Sequence, residues 1–249
     1  MRNIIKTTLS IVIFASVMFY GCSKKDSTTP ATTDNSGSTV SITVSDAAGA
    51  LAAITSVSYT TVAGYTIPVT VNTATGVFFS TPGSSTYVDA GSITLNSNSL
   101  TKQSNNAYVY QNLTSPLTFP PVTWNVAGSG SVPSFNYTDD RPMPTFSGYD
   151  ALPSTVTKAS GVTIALGSAV LDADSVYVVL HDYSNKTLLK RVAGNAASVT
   201  FTATELSAFT TGNGMVQVAP WNLKSEDFSS KKFYFINETC YTKMGIAIN

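Results

Sequence analysis

Few side chains in this sequence belong to the types that most often carry out chemistry. His181 is the only histidine, so any Ser-His-Asp arrangement would depend on it. It stands beside Asp182 at the end of a predicted strand, where a solvated hairpin position explains it better than catalysis. The chain has no phosphate-binding glycine loop, no paired zinc-ligand cysteines, no HExxH motif and no nucleophile elbow. We therefore predict that the protein is not an enzyme and uses no cofactor.

Aspartates occur in two local groups that could help to bind a metal ion. Asp139 is next to Asp140, and Asp172 and Asp174 have the spacing that points two side chains to one face of a strand. Neither group offers the further ligands that a Ca²⁺ shell of about six to eight oxygens needs. Turn and strand-end positions explain both groups better, with Asp140 and Arg141 as a local ion pair. We predict no metal site.

Aromatic side chains are more plentiful, and both tryptophans stand next to amides. Trp124 precedes Asn125, and Trp221 precedes Asn222. Carbohydrate-binding sandwiches stack exposed aromatic rings on sugars and use neighbouring amides as hydrogen-bonding partners. The same tryptophans would serve equally well inside a sandwich, where Trp is more often found. These four residues are candidate ligand-binding residues, with core packing as the alternative.

The first residues have the pattern of a secretory signal peptide. Two basic residues supply a positive start, residues 9–20 form an apolar core, and Gly21 is the small residue that a signal peptidase requires. The apolar core is shorter than the roughly 20 residues needed to span a bilayer. We predict that residues 1–21 are removed as a signal peptide, directly before Cys22.

Residues 19–22, Phe-Tyr-Gly-Cys, resemble the lipobox of bacterial lipoproteins. Gly and Cys are in place, whereas Phe and Tyr stand where the family usually has an aliphatic and a small residue. The resemblance implies that Cys22 becomes the mature N-terminus and carries acyl chains on its sulfur and amine. Two or more acyl chains anchor a protein stably, so the implied partner is a membrane. The alternative is a secreted protein that loses Cys22 with its signal peptide.

Ser23, Lys24, Lys25 and Asp26 follow this cysteine directly. They resemble the charged export tags of surface lipoproteins in gliding and gut-dwelling Gram-negative bacteria, in which a lysine followed by acidic residues directs the lipoprotein across the outer membrane. Only one acidic residue follows the two lysines here. The resemblance implies an outer-membrane lipoprotein that faces the cell exterior. The alternative is that Lys24 and Lys25 are merely solvated charges of a tether.

Charge is scarce and nearly balanced. Without residues 1–21, 228 residues remain, with 12 basic and 14 acidic side chains and a formal charge of 12 − 14 = −2. We therefore expect no surface for nucleic acid. Between residues 40 and 138 the only Asp, Glu, Lys or Arg residues are Asp46, Asp89 and Lys102, whereas Ser and Thr make 67 of the 249 residues. The abundance of Thr, Val, Tyr and Phe favours strands over helices.

Short segments of alternating polarity, separated by turn residues, predict an all-β protein with two β-sandwich domains. The first predicted domain is 40–138, the connector 139–153 is rich in proline and aromatic residues, and the second domain is 154–249. A flexible tether is predicted at 22–39. The second half resembles immunoglobulin-like and fibronectin-like sandwiches in architecture alone.

Several strands and one turn of helix are predicted with definite positions. Thr202 and Glu205 predict a capping box on a single turn of helix. Once the first cysteine is lipidated, Cys240 is the only thiol, so we predict no disulfide and a buried, inert cysteine. Strands are predicted at 40–44, 54–62, 65–71, 176–181, 187–192, 215–219, 232–236 and 241–248, with a turn at 46–49 and a hairpin joining the strands at 176–181 and 187–192.

These observations predict a non-catalytic, surface-anchored lipoprotein that acts as a binding or structural module at the outer membrane. One alternative resembles the accessory lipoproteins of glycan-uptake systems, which hold polysaccharide on sandwich domains. Another resembles fimbrillin-like pilins or adhesin subunits, which bind a protein partner and are matured by cleavage after a basic residue near the first strand. No Lys or Arg occurs between Lys25 and Lys102, which disfavours pilin assembly.

Overall fold

The computed structural model describes residues 46–62, 65–112, 114–184 and 186–249. These residues form seventeen strands, one short α-helix and brief 3₁₀ turns. The prediction of an all-β sandwich fold is therefore confirmed. The strand predicted at 40–44 lies outside the described residues.

Most of the strands are short, and four of them are long. The first half of the chain contributes β1 (Ala47–Val62), β2 (Tyr65–Phe78), β3 (Ile93–Leu95), β4 (Asn98–Ser99), β5 (Thr101–Lys102), β6 (Tyr108–Tyr110), β7 (Val122–Val126) and β8 (Phe135–Asp139). The second half contributes β9 (Thr145–Phe146), β10 (Thr155–Val156), β11 (Val162–Ala165), β12 (Val170–Leu171), β13 (Ser175–His181), β14 (Thr187–Ala193), β15 (Ser198–Phe201), α1 (Ala203–Leu206), β16 (Gly212–Phe228) and β17 (Lys231–Ile248).

One large sheet organises these elements. Its strands are hydrogen-bonded in the order β14-β13-β16-β17-β1-β2-β6-β5, and β10 pairs with the end of β17. Two long antiparallel hairpins, β1 with β2 and β16 with β17, form its centre. The hairpins meet through a parallel contact between β1 and β17. We call this nine-stranded sheet the central sheet.

The first core lies between the central sheet and a four-stranded sheet of order β4-β3-β7-β8. Side chains alternate between the two faces of a strand, and β7 shows the consequence. Val122, Trp124 and Val126 are buried, whereas Asn125 between them is exposed. Phe78 of β2 meets these residues from the central sheet.

The second core lies against another part of the central sheet. The strand pairs β11-β15 and β9-β12 and helix α1 enclose it. Val176 and Val178 of β13 and Val216 of β16 are completely buried there, together with Phe201 of β15. Burying one such side chain contributes about 1.5 to 3 kcal/mol, so this core can stabilise its elements without a disulfide.

Strand β17 passes through both cores. Phe233 and Phe235 near its start belong to the first core, and Ile246 and Ile248 near its end belong to the second. The central sheet is therefore continuous between the cores. The division of the chain into two domains stays a prediction, and the last strand of the second predicted domain helps to build the core of the first.

Several strand boundaries were predicted wrongly around the long strands. The turn predicted at 46–49 lies mostly within β1, which begins at Ala47. The strands predicted at 232–236 and 241–248 are parts of the single strand β17, and the strand predicted at 215–219 is only the middle of β16. Pairing with a long neighbour overrides local turn preferences, because each added residue extends the ladder of backbone hydrogen bonds.

Other local predictions are confirmed. The strands predicted at 54–62 and 65–71 lie in β1 and β2. The hairpin predicted from residues 176–181 and 187–192 is formed by β13 and β14, whose register pairs Ser175 with Ala193.

The connector predicted at 139–153 is held against its neighbours by its aromatic residues. Phe146 is buried in the second core. Tyr149 stacks on Tyr59 of β1, with the ring centroids 3.7 Å apart. The connector is therefore packed along the central sheet.

Helix α1 begins at the predicted capping box. The backbone N–H of Glu205 donates to Thr202 Oγ1 at 3.3 Å, and the backbone N–H of Thr202 donates to the Glu205 carboxylate at 2.8 Å. The same carboxylate lies 2.8 Å from the Nζ of Lys190, a residue that is only 5 % exposed. Lys190 also donates to the Thr200 carbonyl at 2.7 Å and lies over the ring of Phe201. The capping box therefore also neutralises a buried cation.

We expect Glu205→Gln to lower the free energy of unfolding by about 2 to 3 kcal/mol, because it leaves the buried Lys190 charge without its counter-charge. Glutamine can still complete a capping box, so the loss reports the ion pair and not the cap. Urea denaturation at pH 7 measures this change. In a Lys190→Met background the same substitution should cost less than about 1 kcal/mol. An equal cost in both backgrounds would contradict the ion-pair explanation.

Candidate functional site

Both candidate tryptophans are buried, which corrects the expectation that they stack on a ligand. Trp124 is 0 % exposed and Trp221 is 1 % exposed. Trp124 lies in the first core, and Trp221 stacks on Tyr177 with ring centroids 5.4 Å apart. Neither ring presents a face to solvent, so burial, the alternative explanation, is correct for both.

Asn222 is also buried, and its amide has partners within the protein. Its Nδ2 makes a long hydrogen bond of 3.5 Å to the carbonyl of Pro142. Its register partner on β17 is Asn237, whose Nδ2 donates to Asp139 at 3.2 Å. Asn222 therefore belongs to a polar junction between residues 139–142 and the central sheet, and its burial does not favour the predicted ligand-binding role.

Arg141 is the centre of this junction and joins the two aspartate groups of the sequence. Its Nε and Nη2 donate to the two carboxylate oxygens of Asp139 at 2.8 to 3.1 Å, and its Nη1 lies 3.7 Å from Asp174. The ion pair predicted for Asp140 is therefore wrong, because the buried Asp139 is the partner and Asp140 is exposed. Asp172 has a φ of 56° in the turn between β12 and β13, so it does not share a strand face with Asp174.

The electrostatics of the junction favour two permanent charges. Burial alone would raise the pKa of Asp139, but hydrogen bonds from the side chain and backbone of Arg141 hold that pKa below its usual value. The same contact raises the pKa of Arg141. Both groups stay ionised at neutral pH, and the bidentate geometry is the strong form of this pairing. The junction therefore fastens residues 139–142 to the central sheet through an ion pair that keeps its charges near neutral pH.

A second buried carboxyl, Glu238 of β17, has a different environment. It is 8 % exposed and lies opposite Trp221 on β16 and Ile54 on β1. Its Oε1 accepts a hydrogen bond from the Sγ of Cys240 at 3.2 Å. Within the described part of the chain, no Lys, Arg or His forms a salt bridge with it. Burial raises the pKa of Glu238 to about 7.

The thiol of Cys240 is buried and free, as predicted. Burial and the neighbouring Glu238 raise the pKa of the thiol well above its usual value. Because the thiolate is the nucleophilic form, this cysteine is unreactive at neutral pH. Glu238 was not among the predicted site residues, because residues 237–240 fall between two predicted strands. Its spacing of two residues from both Ile236 and Cys240 was the available signal for a shared strand face.

Asn125 is the one candidate ligand-binding residue that the structure exposes. It lies on the outer side of the four-stranded sheet, opposite Thr94 and Asn136, and its Nδ2 donates to Asn136 Oδ1. In the next row the hydroxyls of Thr123 and Thr138 are 3.1 Å apart. We call these five side chains the amide face. None of the five is ionisable, and each can both donate and accept hydrogen bonds.

His181 and Asp182 shape the loop of the β13–β14 hairpin. The Asp182 carboxylate accepts from the backbone N–H groups of Ser184, Lys186 and Thr210 at 2.7 to 2.9 Å. Burial would raise the pKa of Asp182, but these donors hold it below its usual value. The His181 Nδ1 lies 3.1 Å from the Lys186 carbonyl. The Asp182 carboxylate therefore holds the loop in its conformation through hydrogen bonds from these backbone groups.

Two further features concern membranes and metals. Across residues 46–62, 65–112, 114–184 and 186–249, no helix is long and apolar enough to cross a membrane, and no three His, Cys, Asp or Glu side chains are grouped closely enough to hold a metal ion. The predicted lipidation and export residues lie outside the described residues: Cys22, Ser23, Lys24, Lys25 and Asp26.

No protein-family model, curated protein or solved structure matches this chain. Its function must therefore be inferred from its own residues.

We expect Glu238 to make the protein less stable as the pH rises from about 4.5 to about 7. In this range the folded chain keeps the Glu238 proton, whereas the unfolded carboxyl, with its usual pKa of 4.5, has released it. Rising pH therefore favours unfolding until the folded group also titrates. The separation of the two pKa values corresponds to roughly 3 kcal/mol. Glu238→Gln should remove this dependence and be more stable than the wild type above pH 7.

Urea denaturation of both chains between pH 4.5 and 8 measures this effect, because their difference isolates Glu238 from the other carboxyls. Glu226→Gln, at an exposed position on β16, is the matched control and should keep the wild-type pH dependence. If Glu238→Gln also kept it, Glu238 would not be a buried, protonated carboxyl.

Proposed function

We propose that the protein is a non-catalytic lipoprotein, anchored at the outer membrane through Cys22 and displayed on the cell surface, where it acts as a binding or structural module. The anchor and the surface display rest on the resemblance of residues 19–26 to a lipobox and an export tag, and the binding or structural role is supported by the continuous central sheet, whose strands β16 and β17 contribute to both cores. Such a framework suits a protein that holds a ligand or a neighbouring molecule in a fixed position relative to its anchor.

The tether predicted at 22–39 precedes Asp46, the first described residue, whose side chain is fixed to β17. Asp46, immediately before β1, accepts hydrogen bonds from Lys232 Nζ at 2.7 Å and from the Tyr234 hydroxyl at 2.8 Å. Between Cys22 and Ala47 lie 47 − 22 − 1 = 24 residues. A segment of that length spans at most about 80 Å. This reach is sufficient for the folded part to stand clear of the lipid headgroups.

Cell fractionation and surface proteolysis test the proposal together. We expect the wild-type chain in the membrane pellet and its digestion by proteinase added to intact cells. Cys22→Ser cannot be acylated, so it should move to the soluble fraction. Cys240→Ala removes the other cysteine and is the matched control that should stay in the pellet. Retention of Cys22→Ser in the pellet would contradict the lipid anchor, and protection until the outer membrane is breached would contradict surface display.

The amide face favours a second, more specific candidate function, which is the capture of neutral polysaccharide. Sugar hydroxyls donate and accept hydrogen bonds at the same atom, and the amides and hydroxyls of this face offer both partners. After their mutual hydrogen bond, Asn125 and Asn136 each retain free donor or acceptor capacity toward solvent. The face is uncharged, so it would give no electrostatic preference for acidic or basic glycans.

A glycan array probed with the full chain in detergent tests this candidate. We expect binding to neutral glycans, and Asn125→Ala with Asn136→Ala should weaken it roughly 30-fold, since each lost hydrogen bond costs about 1 kcal/mol. Thr163→Ala with Thr200→Ala is the matched control, because it removes an exposed hydroxyl pair, 2.9 Å apart, from another sheet. Equal losses in both double variants, or no binding by the wild type, would rule out the amide face as a glycan site.

A further inference from the structure

The outer edge of β2 is open over half of the strand. β2 pairs with β1 along its whole length, but β6 covers its other side only from Ala74 to Gly76. Within the described part of the chain, no strand pairs with that side between Ile67 and Thr73, although the side chain of Asn72 donates to the carbonyl of Leu117 at 2.7 Å. An open edge presents backbone N–H and C=O groups that another strand can use. We call residues 67–73 the β2 edge.

The side chains of the β2 edge are apolar on one face. Ile67 is 46 % exposed and Val69 is 44 % exposed. They share that face with Val71, because side chains alternate along a strand. No Asp, Glu, Lys or Arg occurs anywhere from Ala47 to Val88. Pro68 withholds one backbone donor, as proline does in the edge strands where it is tolerated.

The opposite edge of the central sheet is protected in a way that the β2 edge is not. Strand β14 carries Lys190 pointing inward to Glu205, and Arg191 follows it. An inward-pointing charge is one of the features by which natural edge strands avoid pairing with another sheet. The lack of any charge on the β2 edge therefore distinguishes it from the β14 edge.

The β2 edge also lies far from the point where the chain enters the central sheet. Asp46 marks that point, and β1 leads away from it for 16 residues before the chain turns into β2. At about 3.3 Å per residue, the two ends of β1 are roughly 50 Å apart. The β2 edge begins beside the end of β1 that lies away from Asp46.

We infer that two copies of this chain pair through the β2 edge, strand against strand in antiparallel orientation, so that their central sheets become one. A two-fold arrangement places the same surface on both sides of the contact. Ile67, Val69 and Val71 of one copy then face the same three residues of the other, and cross-strand pairs of β-branched residues are favourable. No like charges meet, because the edge has none. This inference does not depend on the lipid anchor or on glycan binding.

Cysteine cross-linking of the full chain in whole-cell lysates tests the pairing, whether or not the chain is anchored to a membrane. Ile67→Cys, Val69→Cys and Val71→Cys are made singly and oxidised with copper phenanthroline. Opposed residues of an antiparallel pair have Cα atoms about 4.5 to 5.5 Å apart, within the range of a disulfide. We expect a disulfide-linked dimer that is strongest for the residue nearest the two-fold axis and weaker on either side. Leu171→Cys, 57 % exposed on β12, is the control for random collision.

Sedimentation velocity of the purified chain gives an independent measurement. The wild type should sediment as a dimer, and Val69→Lys should sediment as a monomer, because it places two like charges at the contact. Leu171→Lys adds the same charge elsewhere and should remain a dimer. Because Val69 is exposed, the melting temperature of Val69→Lys should stay near that of the wild type.

Three results would overturn the inference. These are a monomeric wild type, cross-linking no stronger at the β2 edge than at Leu171, and a dimer that survives Val69→Lys. A monomeric wild type that instead bound an extended peptide in a Val69-dependent way would show that the edge accepts a different protein and not a second copy.

Discussion

The parallel contact between β1 and β17 is the constraint on which the rest of the structure depends. It joins the first described strand to the last over residues 47–58 of β1. Without it, the central sheet would divide between β17 and β1 into two separate parts, β14-β13-β16-β17 and β1-β2-β6-β5. Small residues on β1 permit the contact. A Cβ on Gly49 would lie 2.9 Å from the Phe78 side chain and 3.0 Å from that of Phe233, so only glycine leaves room for both rings.

The central sheet contributes to two cores, and two buried carboxyl groups lie against it in different environments. On one face of β17, Asn237 reaches Asp139, whose charge is compensated by Arg141. On the other face, the adjacent Glu238 has no such cation among the described residues and has a raised pKa. A buried carboxyl must be either paired or protonated, because an isolated buried charge is too costly. Asp139, bonded to Asn237, shows the paired solution, and the neighbouring Glu238 shows the protonated one.

Local sequence signals predicted the structural features that depend only on residues close in sequence. The capping box of Thr202 and Glu205, the β13–β14 hairpin and the burial of Cys240 required only spacing and polarity. The start of β1 escaped prediction, because its Ala- and Gly-rich residues have low strand propensity and are buried on both faces, which removes the alternating pattern. The continuity of β17 depends on pairing with distant strands, which spacing does not reveal.

The candidate site was harder to predict for the same reason. Whether Trp124 faces the core and Asn125 faces solvent depends on which side of β7 the central sheet covers. A shift of one residue in register would exchange them. Sequence could place an aromatic ring beside an amide, but it could not say which of the two was accessible. Arg141 likewise forms its ion pair with Asp139 and not with the adjacent Asp140, because Asp139 is buried against the sheet and Asp140 is exposed.

The scarcity of charge in the first half of the chain has consequences for both its faces and its edges. Exposed faces can be hydrated by hydroxyls and amides, as the rows containing Thr123 and Asn125 are, so charge is not required there. Edges are different, because their backbone groups pair with any strand unless a charge, a bulge or a covering segment intervenes. The β14 edge has such a charge in Lys190, whereas from Ala47 to Val88 the chain has none. The position of a few charges, more than the net charge of the protein, therefore distinguishes the β14 edge from the β2 edge.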